Sequence, residues 1–291
     1  MLRILSIILL LPVLASAQPG AMHHMLMAKA TVVDPYVYQA ETNQFFDSLT
    51  AHSTSWTVAQ KKNVDTLMRD IKGLSNPNYT TYNIKDSFYR IYPVFSGTSY
   101  GHSLDLLNAA NAKLIFYGSP THAGGGITFN GSNQYAEVPF ELDSSNWAWN
   151  NRGATIFTRN RSSSNGYLFG SYNGAASVWG IRQADATNLF LIGMNDIQFP
   201  SAIPMADMMD INRSSVSSAA LYNNGTSVFT TTDNRTTNTG NLYIGAVNNV
   251  GSPALYLQFD LLLFAFHKSL DATRQTFWYQ AVNAYQNRLS R

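Results

Sequence analysis

The sequence predicts a mostly β protein: an antiparallel β-sandwich with a small N-terminal helical element and a C-terminal helix. From about residue 84, roughly a dozen short runs alternate apolar and polar residues, and Gly, Asn and Ser separate them. Strands and helices do not alternate along the chain, which argues against a parallel nucleotide-binding sheet. Hydrophobic residues make up 45% of the chain, enough for a sizeable core and too many for a disordered protein.

Charge and cysteine content exclude several function classes. Only 12% of the 291 residues are charged, the formal net charge is +2, and the chain contains no cysteine. So small a net charge gives no electrostatic footprint for nucleic acid. Without cysteine there is no disulfide, no thiolate nucleophile, no iron–sulfur cluster and none of the usual zinc cages. The polar surface must therefore consist of Asn, Ser, Thr, Gln and Tyr, which form hydrogen bonds without carrying charge.

Residues 1–17 have the features of a secretory signal peptide. Arg3 provides a positive charge, an apolar stretch follows, and Ala15-Ser16-Ala17 matches the small-residue cleavage pattern. The apolar stretch is about half as long as a bilayer-spanning helix, so we predict no permanent membrane span. The protein is then extracytoplasmic: secreted, at a cell surface or in a virion. The alternative is a buried N-terminal helix that stays attached to the protein.

Three further segments complete the predicted organisation. Residues 18–35 are predicted to be an extended arm, and residues 36–76 a helical hairpin with apolar residues at helical spacing. Thr57 and Gln60 have the spacing of a capping box at the start of the second helix. Residues 84–291 are predicted to form the sandwich and to end in a helix that Ser269 or Asp271 caps.

Two local patterns support the sandwich. Within residues 136–143, Val138 faces the opposite side from Glu137, which indicates a strand with one buried face and one wet face. Pro139 lacks an N–H for the ladder, so an edge strand or a bulge is predicted there. Asn223-Asn224-Gly225 is predicted to be a hairpin turn, because these residues tolerate positive φ.

A broad resemblance supports the same fold. Residues 125–139 (GGITFNGSNQYAEVP) resemble the early strand pair of concanavalin A-like, laminin-G-type jelly rolls. The segment 241–246 (NLYIGA), the strand through residues 264–266 and the helix after residue 271 follow the same order. The resemblance implies a lectin-like jelly roll. Some laminin-G domains hold calcium on a rim Asp; no cofactor is predicted here, and Ca²⁺ stays open because no acidic cluster specifies a site.

A narrower resemblance concerns the setting in which the protein works. The helix at 57–74, the segment 89–98 (YRIYPVFSGT) and the ending 277–289 (FWYQAVNAYQNRL) together resemble a group of tailed-phage virion structural proteins. This implies a structural role in a virion, with other virion or envelope proteins or further copies of the chain as partners. The signal peptide departs from that group and leaves a bacterial cell-surface protein as the alternative.

Catalytic patterns are present only in part. Residues 97–101 fit G-x-S-x-G, but a nucleophile elbow needs a strand–turn–helix context with a later Asp and His. His102 and His122 are predicted to be loop or surface residues. Glu141 and Asp143 match two of the three carboxylates in the E-x-D-x-x-E motif of glycoside hydrolases on this fold. We therefore predict no catalytic residue, no metal site and no enzyme, with a glycoside hydrolase on the same fold as an alternative.

Glycan binding is the better match to the uncharged surface. Aromatic faces stack on the apolar faces of sugars, and amides bind hydroxyls. The candidate glycan platform combines both residue types: Trp147, Trp149, Asn146, Asn150, Tyr172 and Asn173. The alternative is that one or both tryptophans are core residues. The predicted function is a non-enzymatic virion or cell-surface structural protein that binds host glycans; a secreted bacterial carbohydrate-binding protein or adhesin is the alternative.

Overall fold

The computed structural model describes residues 36–74, 83–111, 113–139, 150–172, 178–183, 189–192, 197–198, 207–215, 217–232 and 240–291. The chain divides into two compact units, Met1–Val37 and Tyr38–Arg291. The predicted signal peptide and arm, residues 1–35, lie outside the described residues. So do Asn146, Trp147, Trp149 and Asn173 of the predicted platform, and the carboxylates Glu141 and Asp143.

The second unit is mostly β. Its helices are α1 (Ala40–Ala51), α2 (Val58–Ile71), α3 (Ser99–Ser103) and α4 (Ala272–Arg288). Its strands, in chain order, are β1 (Phe88–Tyr92), β2 (Ile115–Tyr117), β3 (Thr121–Ala123), β4 (Gly126–Asn130), β5 (Tyr135–Val138), β6 (Arg152–Arg159), β7 (Gly166–Tyr172), β8 (Val178–Gln183), β9 (Leu189–Ile192), β10 (Ile197–Gln198), β11 (Met208–Ser215), β12 (Ser218–Asn223), β13 (Thr226–Thr231), β14 (Leu242–Ile244), β15 (Val247–Asn249), β16 (Ser252–Ala254) and β17 (Gln258–His267). None of the helices in these ranges is long and apolar enough to cross a bilayer.

The described strands form two sheets, which confirms the predicted β-sandwich. In the eight-stranded sheet the order is β13-β12-β11-β6-β17-β4-β3, with β1 also paired to β17. In the nine-stranded sheet it is β10-β9-β8-β7-β14-β5-β2, with β15 and β16 added beside β7. The pairs are antiparallel except β15 with β7. Neighbours such as β6 and β17 are far apart in sequence, so the sheets assemble through long-range pairing.

Alternating side chains of both sheets fill the space between them. Ile156 of β6 and Phe264 of β17 point inward from the eight-stranded sheet, and Val138 of β5 and Phe169 of β7 point inward from the nine-stranded sheet; all are buried. Phe264 and Phe169 meet edge to face with ring centroids 5.3 Å apart. Burial of each such side chain contributes about 1.5–3 kcal/mol. This core fixes which residues of the nine-stranded sheet face outward.

Helices cover the outer face of the eight-stranded sheet. Phe46 of α1, Leu67 of α2 and Trp278 of α4 are buried in a second core with Phe157 and Leu263 from that sheet. The predicted capping box starts α2: the Thr57 hydroxyl accepts from the Gln60 N–H, and the Gln60 side chain accepts from the Thr57 N–H. Asp271, one of the two predicted caps, begins α4 by accepting from the Arg274 N–H.

A buried polar network, centred on Asp210 of β11, fastens α4 to the eight-stranded sheet. The Asp210 carboxylate accepts hydrogen bonds from Thr155 and from Gln275 at 2.8 Å, and it pairs with His267 Nε2 at 2.7 Å. The indole of Trp278 donates to Thr155 at 2.8 Å. His267 Nδ1 is 2.8 Å from the Lys268 carbonyl. His267 therefore has an oxygen partner at each ring nitrogen, which fixes the position of its ring within the network.

One turn and one strand end show what the local sequence predicts correctly and what it does not. The predicted hairpin turn joins β12 to β13, and Asn224 and Gly225 both have positive φ, at 48° and 76°. The edge-strand prediction at Pro139 is wrong. β5 ends at Val138, before the proline, and it lies between β14 and β2. The ladder stops before the residue that lacks an N–H, so no bulge is needed within β5.

Candidate functional site

Tyrosines line the outer face of the nine-stranded sheet. The tyrosine row consists of Tyr117 on β2, Tyr135 on β5, Tyr243 on β14 and Tyr256 after β16. Tyr117 and Tyr135 are cross-strand partners whose rings stack at 4.6 Å and 9°. Tyr135 lies 4.6 Å from Tyr243 and 6.3 Å from Tyr256, between ring centroids. Tyr135 and Tyr243 are buried, whereas Tyr117 is 38% exposed. Tyr117 therefore presents the solvent side of a rigid aromatic stack.

Glu137 fixes the polar edge of the tyrosine row. The Tyr117 hydroxyl donates to Glu137 Oε2 at 2.9 Å, and the Asn241 amide donates to Oε1. The Asn241 carbonyl in turn accepts from Asn248 at 2.7 Å. The hydrogen bond to Glu137 raises the pKa of Tyr117, so the phenol stays protonated at neutral pH. The row thus offers a neutral ring beside one orientated carboxylate and one amide.

The aromatic surface continues across β7. The ring of Tyr167 lies over Gly170, where an added Cβ would be 2.8 Å from Tyr167 Cδ1. Tyr172, half-buried, packs against Tyr167 and Val247. Tyr172 is the member of the predicted glycan platform that lies on this sheet face. Asn150 is exposed, two residues before β6 of the other sheet, and the remaining four lie outside the described residues.

Gly170 should be intolerant of a side chain for this reason. We expect Gly170→Ala to displace the Tyr167 ring and to lower the free energy of unfolding by about 1–3 kcal/mol, as overpacking does. Gly124 is the matched control, because an added Cβ there meets nothing within 4 Å. Urea unfolding of both variants measures the difference. Equal stabilities of Gly170→Ala and Gly124→Ala would show that Tyr167 does not depend on this close approach.

An open cleft of about 760 Å³ runs along β2, next to the tyrosine row. Its lining residues come from α3, from β2 and the residue before it, from the loop that leads to β3, and from β3 itself. None of them is acidic: Ser99, Tyr100, Ser103, Leu114, Ile115, Phe116, Tyr117, Gly118, Ser119, Pro120 and His122. Tyr117 belongs to both the cleft and the tyrosine row. A volume of this size is typical of small-molecule sites, roughly 300–1,000 Å³.

Tyr100 forms the wall of the cleft on α3. The exposed His52 ring stacks on Tyr100 at 3.7 Å and 15°. Lys113 Nζ lies 4.6 Å from the centroid of the same ring and 3.2 Å from its hydroxyl oxygen. Tyr100 is therefore held from two sides, by a stacked ring and by a cation near its hydroxyl. The cleft has aromatic walls at both Tyr100 and Tyr117.

A pair of histidines joins α3 to β3 beside the cleft. His102 of α3 is fully buried, and His122 of β3 is half-buried, which corrects the prediction that both are loop or surface residues. Their Nδ1 atoms are 3.0 Å apart, and the Gly97 N–H donates to His102 Nε2 at 3.0 Å. Since His102 Nε2 accepts, His102 carries its proton on Nδ1 and donates to His122 Nδ1. His122 then carries its own proton on Nε2.

The position of the proton on His122 decides whether the G-x-S-x-G segment, residues 97–101, could work as a nucleophile elbow. The structure does place it at a strand–turn–helix junction: β1 precedes it, Thr98 caps α3, and Ser99 opens the helix and lines the cleft. His122 lines the same cleft. A serine nucleophile needs a histidine whose Nε2 is free to accept a proton. His122 Nε2 carries a proton instead, so His122 is a hydrogen-bond donor and does not activate Ser99.

Comparisons with known proteins show the fold. No protein-family model matches the chain, and no curated protein matches its sequence. A mutant of Trypanosoma rangeli sialidase displaying trans-sialidase activity matches 77% of this chain at 12% identity and a TM-score of 0.54. The binding domain of botulinum neurotoxin DC, in complex with rat synaptotagmin II, matches 68% at 15% identity and 0.51. This chain spans 39% of the sialidase chain and 52% of the neurotoxin domain.

A third structure is that of botulinum neurotoxin type C, whose cell entry is dependent upon interaction with two ganglioside molecules. It matches 69% of this chain and 52% of its own, at 13% identity and a TM-score of 0.51. At these identities the likeness extends to the β-sandwich fold, a fold that here includes proteins interacting with carbohydrates. The resemblance to tailed-phage proteins finds no counterpart among the family models.

The matched structures contradict one prediction. Sialidases are among them, including complexes with sialic acid and with 2,3-difluorosialic acid as a covalent intermediate. The prediction that this protein is not an enzyme rested on its few carboxylates, which form no convincing catalytic pair in the sequence. The enzymes among the structures that share the fold contradict that prediction.

Proposed function

We propose that the protein binds carbohydrate in the cleft along β2, with the exposed face of Tyr117 as the main stacking surface. The observation that carries the proposal is the double role of Tyr117, which lines the cleft and ends the tyrosine row. A ring held by a stack loses little conformational freedom when a ligand binds. Its apolar face suits the C–H face of a sugar, and no charge is required.

Hydrogen-bonding groups surround that face on both sides. Towards the tyrosine row, Glu137 accepts and the Asn241 amide donates. Towards the cleft, Ser99 supplies a hydroxyl and His122 a single ring N–H. A sugar hydroxyl donates and accepts at once, so a mixed set of neutral donors and acceptors fits it well. Tyr100 supplies the second aromatic wall.

The glycan platform that the sequence predicts is a second proposed contact. Tyr172 lies on the same outer face as the tyrosine row and is the last residue of β7. Trp147, Trp149, Asn146, Asn150 and Asn173 would extend that contact for a longer saccharide. Loss of binding in Tyr172→Ala and Trp149→Ala, with Tyr117→Ala unaffected, would place the site on the platform and away from the cleft.

A glycan array followed by solution titration tests the proposal. We expect a restricted set of saccharides to bind, and turnover of each bound saccharide is measured in the same samples because sialidases share the fold. Val228→Ala is the control. The exposed fraction of Val228, 40%, is similar to the 38% of Tyr117, but Val228 lies on β13 of the other sheet. An array without hits, or equal losses in Val228→Ala and Tyr117→Ala, would contradict the proposal.

We also propose that the protein is extracytoplasmic, in a virion or at a bacterial surface. There the helices, together with further copies of the chain, would attach the protein to its surroundings. The signal-like residues 1–17 and the resemblance at 57–74, 89–98 and 277–289 support this setting. We expect cleavage after Ala17, so that Gln18 is the first residue of the mature chain. N-terminal sequencing of the protein from its native source measures this. A mature chain that still begins at Met1 would contradict export by this signal.

A further inference from the structure

The histidine pair, His102 and His122, has no spare acceptor. Within the described structure, His102 Nε2 accepts from the Gly97 N–H, and His122 Nδ1 accepts from His102 Nδ1–H. The other two ring nitrogens already carry protons. A further proton must therefore enter one of these two hydrogen bonds. On His122 Nδ1 it would face the proton of His102, and on His102 Nε2 it would face the proton of Gly97.

The pair also bridges two separate elements. His102 belongs to α3 and His122 to β3, and their hydrogen bond links those two elements. β3 has only a three-residue pairing with β4 on its other side. Either protonation replaces an attractive contact with two donors facing each other. The least costly response is for β3, together with the loop that joins it to β2, to move away from α3, which widens the cleft between that loop and α3.

We infer that the histidine pair is an acid-sensitive latch between α3 and β3, two elements that line the cleft, and that a saccharide held there is released on acidification. The latch stands on the geometry of the pair alone. The release of a saccharide rests in addition on the proposed function, because it requires that the ligand contact both elements.

The charged surroundings of the pair act in the same direction. Burial, the neighbouring His122 and the cation of Arg291, just after α4, together lower the pKa of His102 to about 3. Burial also lowers the pKa of His122. Phe116 of β2 meets the His122 ring edge-on at 4.6 Å and brings no charge. His52 and Lys113 both contact Tyr100 of the same cleft, and Lys113 adds positive charge on the α3 side.

The sign of the effect follows from these pKa values. In the closed state the pair stays neutral, whereas in an open state each histidine titrates near its ordinary value of about 6.5. Stability of the closed state is thus complete above that pH and is lost as the pH falls towards 3. Asp105, buried after α3, opposes this: burial raises its pKa to about 6, so its protonation favours the folded state in acid.

Amide hydrogen exchange between pH 7.5 and 4.5 tests the latch without any ligand. Opening of the contact between α3 and β3 is expected to become about tenfold more favourable for each pH unit below 6.5, for each histidine that gains a proton. We expect protection of the Gly97 and β3 amides to fall accordingly, while amides of β17 keep theirs. His122→Gln removes one of the two groups that can gain a proton, so the fall in protection should shrink to the response of His102 alone. His52→Gln, which removes an exposed histidine, should keep it.

Two results would overturn the latch: protection of Gly97 and β3 that does not change with pH, or the same fall in His122→Gln as in the wild type. A second arm titrates the best-binding saccharide at pH 7.5 and 5. Affinity that is equal at both pH values, in a protein whose latch opens, would refute release. If no saccharide binds at all, the proposed function fails while the exchange result still decides the latch.

Discussion

Replacement of Asp210 by Ala should lower the free energy of unfolding by about 3–5 kcal/mol, because it removes one partner of the buried Asp210–His267 pair. The loss extends to the hydrogen bonds that Asp210 accepts from Thr155 and Gln275. Because Gln275 lies on α4, docking of that helix should weaken together with the sheet. Chemical denaturation at pH 7 measures the effect.

Asp86→Ala is the matched control for this variant. The Asp86 side chain is 79% exposed, and its ion pair with Lys85 Nζ is long, at 3.8 Å. Its removal should therefore change the free energy of unfolding by less than about 0.5 kcal/mol. If Asp210→Ala cost no more than Asp86→Ala, the buried network would not be what holds α4 on the sheet.

Replacement of Tyr117 by Ala should weaken saccharide binding by about 10- to 30-fold, which corresponds to about 1.4–2 kcal/mol of lost stacking. Tyr117→Phe keeps the ring and loses only the hydrogen bond to Glu137. It should therefore lose less than about threefold, if the ring face is the main contact. Calorimetric titration of the array's strongest saccharide measures both variants.

Folding must be checked in parallel, because Tyr117 also shields Tyr135 in the stack. Thermal unfolding of Tyr117→Ala and Tyr117→Phe separates a local loss of binding from a general loss of structure. Equal affinities of Tyr117→Ala and the wild type would remove the cleft from the proposed function. A loss of the same size in Tyr117→Phe would assign the binding energy to the hydroxyl and Glu137 and not to stacking.

Local chemistry explains which parts of the fold the sequence predicts. The capping box at Thr57 and Gln60 and the hairpin at Asn224 and Gly225 depend on residues within one turn, so their spacing suffices. The end of β5 before Pro139 is likewise local. Its position between β14 and β2 is not local, because pairing partners lie more than 15 residues away, and there the edge-strand prediction is wrong.

The candidate site depends still more on distant pairing. Alternation in β5 already places Tyr135 and Glu137 on one face, and the sequence could have indicated that much. Nothing local brings Tyr117 and Tyr243 beside them, since these belong to separate strands. The histidine pair spans 20 residues and two elements, so the burial of His102 carries no signal in its own segment. The predicted platform was chosen from a local cluster of tryptophan and amide residues and stays a prediction.

The central claim is that a saccharide contacts the ring of Tyr117 in the cleft, and ring-selective NMR tests it most directly. Tyrosine rings are labelled with ¹³C, assigned with Tyr→Phe variants, and followed during titration with the array's strongest saccharide. The account predicts that Tyr117 and Tyr100 shift together with one half-saturation concentration, while Tyr279 on α4 does not shift. A titration in which binding is complete and neither Tyr117 nor Tyr100 shifts would contradict it.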